Sequence, residues 1–275
     1  MEREPQQRYI RILLGDYIYN MIKLKTKEDI KILREGGKHL AEIMRDVIAI
    51  VKPGISTNDI EDFLIKKIEE KGDRSAILNY KPYGAKRPYP ANSCISVNDE
   101  VVHGIPIENP RILKDGDIVG IDFAIEHKSL ITDMSVTVPV GNISEELKDF
   151  LEVTKSALMA GIKVAKAGKR VGDISSAIEK VGLAHGYGIV EELSGHGVGY
   201  SVHEDPFVPN YGDPGEGERL VAGMVLAIEP MFNMGSKYIY LCDDGYTYKT
   251  KDGKPSAHFE HTVLITKGKA EILTV

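Results

Sequence analysis

Two aspartates lie in a stretch of the chain that otherwise reads as buried β-strand. Residues 119–136 are VGIDFAIEHKSLITDMSV, and Asp122 and Asp133 each stand among Ile, Phe, Val and Met. If the strands fold about the midpoint between His127 and Lys128, facing residue numbers sum to 255 and Asp122 faces Asp133. Like charges directly opposite each other destabilise an antiparallel pair. The pattern therefore needs something that offsets the repulsion.

The second half of the chain repeats this acidic pattern. A shift of 107 positions sets LKDGDIVGIDF on LVAGMVLAIEP and Asp122 on Glu229, and a shift of 127 sets TDMSVTV on FEHTVLI and Asp133 on Glu260. A pseudo-two-fold axis would bring the four carboxylates together, and no Lys or Arg lies in IVGIDFAIE, MVLAIEPMF or HFEHTVLIT. Uncompensated buried charges cost several kcal/mol each. The four predict a divalent-cation site, since oxygen ligands suit Mg and Mn, and added imidazole suits Fe, Co, Ni or Zn.

Three histidines are candidates for the same site. His196 and His203 lie in SGHGVGYSVHEDP, whose glycines allow bends, so that one histidine can bind metal while the other faces a substrate. His103 in VVHGIP falls against His203 at an offset of 100, which pairs the two across the pseudo-two-fold axis. A phosphate-binding loop is the rival interpretation of GHGVG, but the segment lacks the GxGxxG spacing and the P-loop lysine.

The other four histidines near these motifs are expected to stay outside the site. His127 is placed at the hairpin tip and His185 after a helix, while His258 and His261 flank Glu260 and are expected to face away from the metal in a regular strand. A Ser–His–Asp triad stays open from the sequence alone, although no serine has the setting of a nucleophile elbow.

Helices and strands in a repeated order must position these residues. Residues 26–51 show helical spacing with a capping-box-like start at Thr26 and Asp29, and STNDIEDFLIKKIEEKG opens a second helix. Helical pattern resumes at Ser144, and a further helix starts near Asp173. An offset of 114 aligns VKPGISTNDIEDFLIKK with AKAGKRVGDISSAIEKV. We predict a duplicated unit of two helices followed by antiparallel strands, with the helices on one face of a shared sheet, which is an α+β layer architecture.

Composition narrows the class of protein. The 275 residues are 42% hydrophobic and 28% charged, as in ordinary globular proteins, and the net charge of -6 gives no overall attraction to nucleic acid or anionic membrane. Cys94 and Cys242 form no CxxC motif, which suits a reducing cytoplasm. We find no apolar run of about 18 residues and no signal-peptide pattern.

The domain organisation follows from the repeat. Residues 21–275 are predicted to form one catalytic domain with halves at about 21–142 and 143–275. Residues 1–20 precede a second methionine and are expected to be an extension outside that domain, with a short docking arm as the alternative.

The ordered motifs VVHGIP, GIDFAIEHKSLITDMSV, SGHGVGYSVHEDP, LAIEPMF and AHFEHTV resemble the type I methionine aminopeptidase family. The resemblance runs from about Met21 to Val275, nearly the whole chain. It implies a pita-bread (creatinase/aminopeptidase-like) fold, in which two pseudo-symmetric halves of helices pack on a curved antiparallel sheet around a dinuclear metal site. The implied activity is removal of the initiator methionine from nascent chains whose second residue is small.

The resemblance also implies a role for each predicted ligand. Asp133 and Glu260 resemble the carboxylates that bridge two divalent ions, and Asp122 the one that chelates a single ion. His196 and Glu229 resemble the ligands of the other ion. The identity of the metal stays open among Co, Mn, Fe and Zn.

Three residues are expected to act on the substrate. By resemblance, His103 receives the α-amino end and the leaving nitrogen, and His203 faces the scissile carbonyl. Two ions about 3.5–4 Å apart can bind one water and deliver a bridging hydroxide to that carbonyl, and Glu229 can accept the water's proton.

The methionine pocket is expected to hold Cys94, Tyr246 and Val202. Cys94 aligns with a pocket cysteine of the family, Tyr246 stands where the family often has Trp, and Val202 stands where it often has Phe. These departures predict a wider pocket, and the assignment of Tyr83 or Tyr89 to it stays open.

The expected partners are nascent polypeptide N-termini met at the ribosome, for a cytoplasmic monomer that requires neither nucleic acid nor membrane. Two alternatives share the fold. A proline-specific aminopeptidase or prolidase usually has an extra N-terminal domain, which 20 spare residues cannot supply. A non-catalytic binding module usually lacks metal ligands, whereas all five residue types are present here.

Overall fold

The four helices begin close to where the sequence predicts them. The computed structural model describes residues 22–275, and its helices are α1 (Lys27–Ile50), α2 (Thr57–Glu70), α3 (Glu145–Val164) and α4 (Val171–Ala184). Thr26 forms the predicted capping box with Asp29, and the Ser144 hydroxyl accepts from the Leu147 amide. Such caps satisfy amides that a helix leaves without an internal partner. The prediction for residues 1–20 lies outside the described residues.

The main sheet has nine strands, and its pairings are antiparallel. The strand order is β1-β4-β5-β14-β9-β7-β8, with β2 paired to β4 and β15 paired to β14. The strands are β1 (Arg74–Ser75), β2 (Cys94–Val97), β4 (Ile118–His127), β5 (Leu130–Pro139), β7 (Ser194–Gly197), β8 (Glu204–Pro209), β9 (Val225–Ile228), β14 (Glu260–Leu264) and β15 (Glu271–Ile272).

Two small sheets complete the fold. One has the order β13-β10-β6 and the other β11-β12-β3. Their strands are β3 (Glu100–Val102), β6 (Gly188–Ile189), β10 (Met231–Asn233), β11 (Ile239–Leu241), β12 (Tyr248–Thr250) and β13 (Ser256–His258). None of the helices within residues 22–275 is long and apolar enough to cross a lipid bilayer.

The helices cover one face of the main sheet, as predicted for an α+β layer. On β4, Ile121, Phe123 and Ile125 are buried in one apolar cluster with residues of α1 and α2. On β9, Leu226 and Ile228 are buried with residues of α3 and α4. Because successive side chains of a strand point to opposite faces, the alternate residues of these strands face away from the helices.

The hairpin of β4 and β5 has a different register from the predicted one. Its turn is at Lys128 and Ser129, whose φ angles of 48° and 68° suit a two-residue type I′ turn. Facing numbers therefore sum to 257, and Asp122 faces Ser135 rather than Asp133. The error of two residues preserves the side-chain face, since strands alternate with a period of two. The two aspartates are diagonal neighbours on the same face.

Gly37 of α1 allows the helix to approach the C-terminal segment closely. A Cβ at this position would lie against the carbonyl of Leu273, far inside van der Waals contact. We expect Gly37→Ala to destabilise the protein by about 1–3 kcal/mol through overpacking, although the same change in an open helix stabilises by about 1 kcal/mol. Urea unfolding measures the difference. Lys38→Ala, at an exposed neighbouring position, serves as the control, and a more stable Gly37→Ala protein would contradict the packing described here.

Candidate metal centre

Three of the four predicted carboxylates belong to one row across the sheet. Cys94 of β2 faces Asp122 of β4, Asp122 faces Ser135 of β5, and Ser135 faces Glu260 of β14. Glu229 follows β9 directly, and one further step of the β9–β14 register sets it beside Glu260. The backbone pairing itself thus brings carboxylates from both halves of the chain together.

The adjacent row holds the other two predicted ligands. Asp133 lies beside Thr262, whose hydroxyl accepts from the Asp133 amide at 2.8 Å and donates to its carbonyl at 2.7 Å. Thr262 faces Ala227 of β9, and Ala227 faces His196 of β7. The rows are two residues apart along each strand, so all five predicted ligands point to the same face.

The donor atoms are close enough for one ion to contact several of them. One donor atom each from Asp133, His196 and Glu260 lies within 4.8 Å of the other two, and all three residues are buried. His196 Nε2 lies 3.4 Å from Oε1 of Glu229. This separation suits two ligands of one ion at bond lengths of about 2.0–2.2 Å.

The four carboxylates are held together without a basic partner. None of them has Lys or Arg within salt-bridge distance in the part of the chain that the structure describes. Burial raises the pKa of Asp133 and of Glu229 to about 7, with the charge of Glu229 adding to the effect on Asp133. Burial, together with the neighbouring carboxylates, also raises the pKa of Asp122 and of Glu260 well above the ordinary range.

The histidine and one carboxylate are prepared to bind a cation. His196 Nδ1 lies 2.9 Å from the carbonyl of Gly197. A carbonyl only accepts, so Nδ1 carries the proton and the neutral ring keeps its Nε2 lone pair for an ion, the usual arrangement of a ligating histidine. Glu260 Oε1 is buried and has no hydrogen-bond partner. These residues fit divalent ions.

His203 stands next to this centre. Its ring centroid is 4.5 Å from that of His196, and its Nδ1 lies 2.9 Å from the hydroxyl of Tyr80. Desolvation of the ring lowers the pKa of His203 well below its usual value, with smaller contributions from His196 and His103, although the residue as a whole is exposed to solvent. Tyr80 was not predicted, because it lies in a loop whose path the sequence pattern does not reveal.

The loop that carries His203 is anchored by a buried ion pair. Lys25 Nζ lies 2.5 Å from Oε2 of Glu204, and the Lys25 side chain is almost fully buried. Oε1 of Glu204 accepts from the Ser201 amide at 3.0 Å. Because Glu204 directly follows His203, these contacts restrict where the imidazole can lie.

His103 approaches the centre from the end of β3. Its backbone has a left-handed φ of 59°, and its carbonyl accepts from the Thr247 hydroxyl at 3.2 Å. Burial, with smaller contributions from His258 and His196, lowers the pKa of His103 to about 4. The ring is therefore neutral at physiological pH.

Two of the three predicted pocket residues lie together. Cys94 and Tyr246 share a buried apolar cluster with Tyr89, whose ring centroid is 5.1 Å from that of Tyr246. Tyr83 is 67% exposed and lies outside that cluster. Val202 is buried in a different cluster, whose members include Leu33, Ile131 and Val198.

His258 contacts the centre, contrary to the prediction that it faces away. Its Nε2 lies 3.1 Å from Oε2 of Glu229, while the other oxygen of the same carboxylate is the one near His196. His258 is two residues from Glu260, an even spacing that already favours the same face of a strand. His261, at an odd spacing, instead pairs with the Thr274 hydroxyl at 2.8 Å, as predicted. The even spacing between His258 and Glu260 was therefore enough to predict that His258 faces the centre.

Comparisons with known proteins show the family to which the chain is similar. Residues 31–267 match the model of metallopeptidase family M24. The chain is 44% identical over 254 residues to methionine aminopeptidase 1 of Bacillus subtilis, covering 92% of this chain and 99% of that protein. A methionine aminopeptidase of Aquifex aeolicus is 44% identical over 255 residues, with coverage of 92% and 98%.

Solved structures show the same likeness. The crystal structure of a Thermotoga maritima methionine aminopeptidase has a TM-score of 0.87 and 39% identity, covering 92% of this chain and 99% of that one. A Pyrococcus horikoshii prolidase has a TM-score of 0.72 at 23% identity, covering 93% of this chain but 64% of that one, which shows a shared fold alone.

The raised carboxylate pKa values predict how the metal-free protein responds to pH. Since the pKa values of Asp133 and Glu229 are raised to about 7 on folding, their protonation stabilises the folded state at low pH, and that contribution is lost as pH rises through about 7. We expect the melting temperature of chelator-treated protein to fall between about pH 5.5 and 8, and saturating Mn²⁺ to abolish the fall. Asp133→Asn, which cannot ionise, should flatten the slope. A metal-free protein that becomes more stable over this range would contradict the electrostatics.

The contact of His258 with Glu229 predicts an effect on metal affinity. The His258 ring lies against Oε2 of Glu229 and limits where that carboxylate can lie, so that Oε1 can bind an ion, and losing such an outer neighbour typically costs about 10–100-fold in metal affinity. We expect His258→Leu to weaken Co²⁺ binding by that order, measured by the visible absorption of the bound ion. His258→Gln keeps a polar group at this position and should lose less. His261→Gln is the matched control, and equal affinity in the Leu variant and the unaltered protein would refute the role.

Proposed function

This chain belongs to metallopeptidase family M24, and we propose that it is a methionine aminopeptidase that removes the N-terminal methionine from polypeptides with a small second residue. The observation that carries the proposal is a set of four carboxylates without Lys or Arg partners, together with His196, on one face of the sheet; Asp133 and Glu260 are buried, and Asp122 and Glu229 are half-buried. Relatives that match this chain over nearly their full length are named methionine aminopeptidases, which supports the choice of substrate.

Family membership implies the use of divalent metal. Asp133 and Glu260 would bridge two ions, Asp122 would bind one of them, and His196 and Glu229 would bind the other. The candidate ions are Co, Mn, Fe and Zn, which suit a mixed carboxylate and imidazole site. Bound ions would supply Lewis-acid chemistry, acidifying a water molecule and polarising the scissile carbonyl.

The histidines of this chain position the substrate. The Tyr80 hydroxyl donates to Nδ1 of neutral His203, which leaves the Nε2–H to donate to the oxygen of the scissile carbonyl as charge develops there. Neutral His103 accepts a hydrogen bond from the α-amino group and faces the leaving nitrogen. Glu229 would accept the water's proton, a role that a carboxylate beside the attacking water can serve.

The methionine side chain would lie against the apolar cluster of Cys94, Tyr89 and Tyr246. A flexible thioether packs well against aromatic rings and against another sulfur. Val202 remains a proposed contact on the side of His203, to which it is the immediate neighbour in the chain.

The two alternatives have less support. The Pyrococcus horikoshii prolidase is 23% identical to this chain, whereas the methionine aminopeptidases of Bacillus subtilis and Aquifex aeolicus are each 44% identical to it. A non-catalytic binding module has no need of a full ligand set or of neutral histidines beside it.

The finer features of the proposal concern assembly and place of action. Residues 21–275 would form a single catalytic domain of two halves that meet near residue 142, acting as a cytoplasmic monomer. Its partners would be nascent N-termini at the ribosome, because that is where initiator methionine is first exposed.

Release of methionine from a Met-Ala-Ser peptide tests the proposal. Chelator-treated protein is expected to be inactive, and Mn²⁺ or Co²⁺ to restore release, detected by chromatography of the free amino acid. Asp133→Ala should lose bound metal by elemental analysis and lose more activity than the roughly 10–100-fold cost of an outer-sphere change. Glu126→Gln, an acidic residue of β4 paired with Arg74 away from the site, is the matched control. Folded protein that releases no methionine with any divalent ion, or that cleaves Ala-Pro in preference, would overturn the assignment.

A further inference from the structure

A second cluster of metal-binding residue types lies on the opposite face of the sheet. His39 comes from α1, Asp73 from the segment between α2 and β1, and His127 from the end of β4. His39 Nδ1 lies 2.8 Å from Oδ2 of Asp73, and His127 Nδ1 lies 2.6 Å from Oδ1 of the same carboxylate. The two imidazole centroids are 4.9 Å apart.

This cluster is separate from the candidate metal centre. His127 is five residues beyond Asp122 on β4, about 17 Å along the strand at 3.3–3.4 Å per residue. The odd spacing also turns it toward the helices. Gly36 confirms that direction, because a Cβ there would meet Cβ of His127 at 2.9 Å.

Asp73 is a buried carboxylate with no Lys or Arg beside it among residues 22–275. Its side chain is 1% exposed, and within residues 22–275 its only ion-pair partners are the two histidines. Glu35, the nearest other carboxylate, is paired with Lys128 at 2.8 Å. Unlike Glu35, Asp73 thus has no lysine or arginine paired with its carboxylate.

The protons of His127 are difficult to place in a neutral ring. A carboxylate only accepts, so neutral His127 must direct its Nδ1–H at Asp73, which leaves Nε2 as a bare acceptor. That Nε2 is buried, has no hydrogen-bond partner, and lies 3.4 Å from Oε2 of Glu35. Two acceptors would then lie 3.4 Å apart, although the His127 nitrogen itself is shielded from water.

We propose that His39, Asp73 and His127 bind a divalent transition-metal ion of the Zn²⁺ class. One donor atom of each residue lies within 4.8 Å of the other two. With the ion between Asp73 and the imidazoles, His127 binds through Nδ1 and directs Nε2–H at Glu35, so both ring nitrogens have partners. Ligating histidines commonly direct their second nitrogen at a carboxylate in this way. Two imidazoles and one carboxylate select Zn²⁺, Co²⁺, Ni²⁺ or Cu²⁺ over Mg²⁺ or Ca²⁺.

The ion has a route of entry and a structural role. The His39 side chain is 22% exposed, so solvent and a fourth, non-protein ligand can reach the ion from that side. The three ligands tie α1 to the tip of the β4–β5 hairpin, whose middle carries Asp122 and Asp133. The role is architectural and does not depend on the peptidase reaction.

Counting bound ions tests the proposal. The unaltered chain, His39→Gln and His127→Gln are each saturated with Co²⁺ or Zn²⁺, freed of excess ion by gel filtration, and subjected to elemental analysis. Each variant is expected to hold one ion fewer than the unaltered chain, with methionine release from Met-Ala-Ser unchanged. His185→Gln is the control, since the imidazole of this exposed histidine pairs with the Val181 carbonyl and with neither carboxylate of the cluster among residues 22–275. Equal stoichiometry in all four proteins overturns the proposal.

A second measurement needs no substitution at the cluster. Imidazole nitrogen NMR of the unaltered chain should show the Nδ1 signals of His39 and His127 shifting when Zn²⁺ is added, while the signals of His185 stay in place. The competing arrangement is a doubly protonated His127 that donates to both Asp73 and Glu35. Signals of His39 and His127 that respond to acid but not to Zn²⁺ identify that arrangement and overturn the metal site.

Discussion

Four carboxylates on one face of a β-sheet, two buried and two half-buried, repel one another, and no Lys or Arg within the described residues neutralises them. The sheet keeps them together because each belongs to a strand, or directly follows one, whose other face packs against helices. Ile121 and Phe123 flank Asp122 and are buried with α1 and α2, while Leu226 and Ile228 precede Glu229 and are buried with α3 and α4. Apolar packing on the far side of the same strands thus stabilises the fold against the repulsion between the carboxylates. Bound divalent ions would offset that repulsion.

The histidines around this centre are made distinct by their hydrogen-bond partners. A carbonyl holds the proton of His196 on Nδ1 and leaves Nε2 for an ion, whereas a phenol beside Nδ1 of His203 leaves its Nε2 free for a substrate. Enclosure lowers the pKa of His103 and His203, so neither adds a positive charge that would repel metal. One residue type can therefore play either of two proposed roles, metal ligand or substrate contact, according to which backbone or side-chain atom lies next to each ring.

The alternation of β4 links the two clusters of the molecule. Asp122 points to the open face and His127 to the helix face, since an odd number of positions separates them. The same strand thus contributes to a reactive centre on one side and to the contact with α1 on the other. Gly36, which lets the helix approach His127, is as necessary to that contact as the imidazole itself.

Local patterns in the sequence were enough to predict the helices with their caps, the repeat of two helices and strands, and the five candidate ligands. Those features depend on local periodicity and on whether the spacing along a strand is odd or even. The predicted faces are correct even though the turn was placed wrongly, because a register error of two residues returns every side chain to its own face. Which side-chain atoms come into contact is visible only in the folded chain. The turn at Lys128 and Ser129 set Asp122 beside Ser135, and a loop of unpredictable path brought Tyr80 to His203. His258, which parity favoured, was misjudged, and its contact with Glu229 depends on strands far apart in the chain. Contacts of this kind depend on how distant segments close on one another, which no local pattern encodes.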